Sequence, residues 1–167
     1  TRTPSSAASD VYKRQLLGTD LSGSTVGLIG LGPIGQAVAT RLKGFGCCVL
    51  ASNRTLRSIE GIELVDRDIL LSTADIVSLH TALTPETSGM IGRRELALMQ
   101  DGAMLINTAR GALVDEAALV AEIKSGRLRA GLDVYAEEPL PLASELRELP
   151  GCVLSLIHIS EPTRRAL

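Results

Sequence analysis

No apolar run in these 167 residues approaches the roughly 20 that a membrane-crossing helix needs. Basic charge is not in excess: 17 Lys and Arg face 19 Asp and Glu, a formal net charge of −2. That balance gives no reason to expect a nucleic-acid surface or a membrane partner. Cysteine is scarce. Cys47, Cys48 and Cys152 form no CxxC pattern, so they read as small buried residues of a reducing compartment, with no metal site. Internal repeats and low-complexity tracts are missing as well, and the default expectation is a cytoplasmic chain. Histidine is rarest of all the groups that move protons, with only His80 and His158.

His158 is set aside by its surroundings. Residues 5–15 read SSAASDVYKRQ, which is one reading frame of a transposase sequencing adapter. Residues 154–164 read LSLIHISEPTR, which is the opposite adapter, at the opposite end. Both segments are expected to be non-native, with 1–15 and 154–167 as tails and 16–153 as one domain of a longer protein. Without the tails, 12 basic residues face 17 acidic ones, a net charge of about −5. A stretch of this length can form one domain with its own core.

Along 16–153, short apolar runs alternate with helical patterns. TVGLIG (25–30) predicts a strand closed by glycine. PIGQAVATRLKGF predicts a helix with Ile34, Val38, Leu42 and Phe45 on its buried face and Gly46 as its stop. CCVLAS, DIVSLH, AMLIN and AGLDV read as further strands. DRDILLSTA, RRELALM and DEAALVAEIKSG read as helices, the last capped by Asp115 and stopped by Gly126. AEEPLPLASELRELP reads as a surface connection with a short helix. Met90, Met99 and Met104 are expected to be packing residues. This alternation predicts an α/β fold, a doubly wound parallel sheet of Rossmann type.

Gly30-Leu31-Gly32-Pro33-Ile34-Gly35 matches G-x-G-x-x-G, between a predicted strand and a predicted helix. Gly30 permits the tight turn, Gly32 lets the backbone approach a pyrophosphate, and Gly35 lets helix and strand pack closely. The helix N-terminus then offers N–H groups to phosphate. At the end of the second strand, an NAD site usually carries Asp or Glu. Here Asn53, Arg54 and Thr55 stand in that place. Asn53 and Thr55 can donate to a 2′-phosphate and Arg54 can pair with it, so NADP(H) is favoured over NAD.

VGLIGLGPIGQAVA, LHTALTPET, LINTARGALVDEAAL and AGLDVYAEEPLP occur in that order, and together they resemble the D-isomer-specific 2-hydroxyacid dehydrogenases. The family includes glyoxylate/hydroxypyruvate reductases, D-lactate dehydrogenases, phosphoglycerate dehydrogenases and formate dehydrogenases. The resemblance covers essentially all of 16–153. It implies a dinucleotide domain whose partner, a substrate domain built from both chain ends, is absent here, and pairing into a homodimer through the nucleotide domain. It implies that Arg110 grips the carboxylate and 2-oxo group of a small 2-oxo or 2-hydroxy acid. It implies that Glu138 pairs with the catalytic histidine and raises its pKa. Asp133 matches the residue that bonds the nicotinamide carboxamide, and Thr81 and Thr108 match positions lining the cofactor.

Residue chemistry agrees. An arginine offers two parallel donors to a planar 2-oxo carboxylate, and a carboxylate beside an imidazole favours the imidazolium. His80 reads as a structural or cofactor-side group. The resemblance places the catalytic histidine after the strand that PGCV begins, so it is expected to be cut off. Two alternatives remain: a dinucleotide-sensing transcriptional corepressor that resembles the same family, and an adenosylhomocysteinase-type NAD domain, which does not account for NTARG and EEPLP together.

Overall fold

A computed structural model describes residues 20–54 and 59–155. Seven strands form one sheet: β1 (Thr25–Ile29), β2 (Cys48–Ser52), β3 (Glu63–Leu64), β4 (Ile76–Leu79), β5 (Met104–Asn107), β6 (Arg129–Leu132) and β7 (Cys152–Leu154). Every pairing is parallel, and the order is β3-β2-β1-β4-β5-β6-β7. Between them run α1 (Pro33–Lys43), α2 (Arg67–Thr73), α3 (Arg93–Leu98) and α4 (Glu116–Lys124).

Residue alternation explains why both faces are covered. On β1, Val26 and Leu28 pack with Val49 and Ala51 of β2 and Ala39 of α1. Ile29 and Leu50 point the other way, into a core shared with Leu70, Leu71, Val77, Leu79 and Leu96. Successive strand side chains face opposite sides, so apolar runs on both registers require helices on both faces. Met99 is buried and Met90 packs against the same core.

Helix ends follow their sequence signals. The Asp115 carboxylate accepts the Ala118 N–H at 3.0 Å and starts α4, and Gly126 turns the chain afterwards at φ +77°. Asp66 caps α2 by accepting from the Asp68 N–H at 2.9 Å.

Three expectations are corrected. In α1 the buried residues are Gly35 and Ala39, with Val38 and Leu42 partly buried, while Ile34 and Phe45 are 71% and 59% exposed. The tight seat of Gly35 rotates the helix, and this turns Ile34 outward. Cys48 is exposed and Cys47 and Cys152 are half-buried, since each lies at the start of or just before its strand. The strand expected to run through Val134 ends at Leu132, and the two-residue β3 adds an edge strand. At the other edge, Leu154 pairs with Leu132 in β7 and the Ser155 N–H donates to Leu132 O at 2.8 Å. The sheet thus includes Leu154, the first residue of the segment that matches the adapter, and Ser155 bonds its edge.

Candidate dinucleotide cleft

The strand order reverses between β1 and β4. The connection after β1 leads to one side of it and β4 lies on the other, so the loops at their carboxyl ends diverge and leave a crevice. A cleft of about 1130 Å³ occupies that place. Gly30, Gly32, Pro33 and Ile34 after β1, Asn53 and Arg54 after β2, His80 and Thr81 after β4, and Thr108 and Arg110 after β5 all line it.

The glycine turn is built for close approach. Gly30 has φ +100°, and a Cβ there would lie 2.7 Å from His80 O. A Cβ on Gly35 would lie 2.2 Å from Gly30 O, so the helix seats directly on the turn. Gly32 is the opposite case: a Cβ there would meet nothing within 4 Å, because the position opens onto the cleft. No side chain caps the N-terminus of α1, and Pro33 sits at its first turn. The N–H groups and dipole at this helix end suit a phosphate. The Leu31 peptide is held from both sides, its N–H donating to Asn53 Oδ1 at 3.3 Å and its carbonyl accepting from Gln36 Nε2 at 2.9 Å. Asn53 therefore also fixes the turn, a role its position in the sequence does not reveal.

Across the cleft, Thr81 Oγ1 donates to Ile29 O at 3.0 Å and ties the β4 loop to β1. His80 is half-buried, with Nε2 3.1 Å from Ser78 Oγ, and burial holds its pKa below the ordinary histidine value. At neutral pH it is a neutral wall residue.

Arg110 stands three residues past β5, with an exposed side chain. Its loop is set by Asn107, 1% exposed and overlooked in the sequence. Asn107 Nδ2 donates to Arg110 O at 2.9 Å, and its Oδ1 accepts from the Ala109 N–H at 3.1 Å. Neighbouring Gly111 lies against Tyr135, where a Cβ would be 1.8 Å from the Tyr135 carbonyl oxygen. Glu138 Oε1 accepts the Tyr135 N–H at 3.1 Å, and Glu116 Oε2 accepts the Ala136 N–H at 3.0 Å. Tyr135 Oη donates towards Ser155 O at 3.1 Å and Leu132 O at 3.3 Å. The loops after β5 and β6 are thus one packed unit. Glu138 is in it but does not line the cleft, and neither does Asp133, which follows β6 directly. Thr55 lies outside the described residues.

A parallel sheet reversing at β1/β4, with a glycine turn open to an uncapped helix end, defines a dinucleotide-binding domain. Its lineage is equally plain. The chain belongs to the D-isomer specific 2-hydroxyacid dehydrogenase family, as the match of that family's NAD binding domain to residues 3–160 shows. It is 46% identical over 155 residues to a glyoxylate reductase of Thermococcus litoralis, covering 90% of this chain and 46% of that protein. It is 45% identical over 162 residues to a D-3-phosphoglycerate dehydrogenase of Mycobacterium leprae, covering 93% and 30%. Among solved structures, a D-isomer specific 2-hydroxyacid dehydrogenase from Xanthobacter autotrophicus Py2, in complex with NADPH and MES, superposes with a TM-score of 0.81. That pair is 34% identical, covering 89% of this chain and 50% of that one. The chain therefore spans about half the length of the reductase and under a third of the phosphoglycerate dehydrogenase.

Proposed function

We propose that the chain is the cofactor-holding part of a reductase that passes hydride between NADP(H) and C2 of a small 2-oxo acid. The observation that carries this reading is Arg110 on the same cleft as the glycine turn. A bound nicotinamide dinucleotide supplies the hydride. The turn at Gly30–Gly35 and the N–H groups of α1 hold its pyrophosphate, and Thr81 and Thr108 border it. Asp133 is assigned to its carboxamide. Arg110 orients the acid by two parallel hydrogen bonds to the carboxylate and 2-oxo group. Asn107, by bonding the Arg110 carbonyl and the Ala109 N–H, sets where that guanidinium starts. Glu138 is assigned to the histidine that delivers the proton, which the resemblance places after β7.

Arg54 beside Asn53 on the cleft favours the 2′-phosphate. Asn53, Arg54 and Thr55 form the proposed 2′-phosphate site. The reductase reading is preferred to a corepressor because the relatives named above are a reductase and dehydrogenases. We further propose a cytoplasmic homodimer for the complete protein, and adapter origin for residues 1–15 and 154–167.

Two measurements test this. The 167-residue chain should bind NADPH weakly, by fluorescence titration, and should reduce no glyoxylate or hydroxypyruvate. The complete enzyme should reduce them, and Arg110→Ala in it should remove most of the activity. Turnover unaffected by Arg110→Ala would end the assignment.

A further inference from the structure

Beyond Arg54, the wall of the cleft carries Arg67 and Arg94. They differ in what holds them. Arg94 donates to Asp68 with both terminal nitrogens, one at 3.2 Å, and to Glu95 at 3.0 Å. Two carboxylates balance its charge, and it ties α2 to α3. Arg67 has Glu95 as its one ion-pair partner among the described residues, at 3.8 Å, too far for a hydrogen bond.

The sheet sets where Arg67 stands. β2 and β3 are in parallel register with Ala51 beside Leu64, and the Val65 N–H still donates to Ala51 O at 2.9 Å. Arg54 and Arg67 each lie three residues beyond that pair, on neighbouring strand ends that open onto one cleft. The acids nearby are engaged: Asp66 caps α2, Asp68 and Glu95 hold Arg94, and Glu86, within the field of Arg54, accepts from Thr84.

We propose that Arg67 is a second cation for the 2′-phosphate of NADP(H), acting beside Arg54 at the ends of β2 and β3. The inference rests on the NADP(H) reading above. A phosphate monoester carries about −1.5 to −2 charge at neutral pH, so one arginine compensates only part of it. Two guanidiniums from the segments that follow adjacent strands match the charge and can approach the oxygens from two sides. No signal in the sequence marks Arg67, because its nearness to Arg54 depends on the pairing of β3.

The test is a fluorescence titration of the 167-residue chain with NADPH and NADH, with calorimetry using 2′,5′-ADP against ADP. Arg67→Gln should weaken NADPH and 2′,5′-ADP roughly tenfold, as expected for a charge-assisted contact, and leave NADH and ADP unchanged. Arg67→Lys should recover part of the loss. Arg93→Ala, which removes the same charge outside the cleft, should change nothing. Arg67→Met keeps the apolar stem and replaces Arg67→Gln if that variant does not fold. Equal weakening of NADPH and NADH, or no effect of Arg67→Gln where Arg54→Ala weakens NADPH, would overturn the role of Arg67 and leave the Arg54 reading standing. A parent chain that prefers NADH, or binds neither, would remove the NADP(H) reading and this inference with it.

Discussion

His80 shows how a single side chain in the cleft responds to burial. Its pKa lies below the ordinary value of 6.5 because burial disfavours the charged imidazolium. The folded chain therefore keeps His80 neutral where the unfolded chain takes up a proton. Between the two pKa values the unfolded state binds more protons, so stability falls as pH drops below 6.5 and is constant in this respect above it. Urea unfolding at about pH 7.5, 6.5 and 5.5 should show that loss, and His80→Gln should flatten it. The acidic groups Asp68, Glu86 and Glu95 all have lowered pKa values, so their protonation belongs below about pH 4.5 and does not confuse this window. An unchanged pH slope in His80→Gln would show that another group sets it.

Elements and their junctions divide by what range of the chain decides them. The glycine turn, the Asp115 cap and the apolar strands depend on residues within a few positions, and all three were legible in the sequence. β3 was not, because two residues carry no alternation and pair only because β2 is beside them. Asn107 reads as one polar residue ending a strand until the loop folds back and presents two peptides to its amide. Glu138 reads as a cleft residue by its motif, but in this structure it binds the Tyr135 N–H. The junction of the loops after β5 and β6 gives a sharp prediction. Gly111→Ala places a methyl group against the Tyr135 carbonyl, where only backbone movement can relieve it, and should cost about 1–3 kcal/mol. Thermal or urea unfolding checks the cost, and in the complete enzyme the same variant should lower activity by moving Arg110. A substitution that leaves both unchanged would show that the two loops separate easily.

For the molecule as a whole, the terminal segments provide a test that needs no cofactor. Removing residues 1–15 and 156–167 should leave the melting temperature unchanged, the outcome the proposed adapter origin of those segments leads us to expect. Removing Leu154 and Ser155 as well should lower stability by about 1–2 kcal/mol, through lost β7 pairing and the lost Tyr135 contact. Backbone hydrogen bonds do not depend on where a codon came from. A large loss from the first trim would count against the adapter origin. The reversal at β1 also bears on how the chain assembles. Thr25–Ile29 can pair with Cys48–Ser52 early, but the other edge of β1 must wait for Ile76–Leu79, about fifty residues further on. Such distant pairing is slow, because a long loop must close before any contact rewards it. During synthesis β1 therefore spends an interval with one open edge, a template for the wrong strand. The crevice exists only once β4 arrives, so a dinucleotide can favour the finished sheet but cannot help to start it.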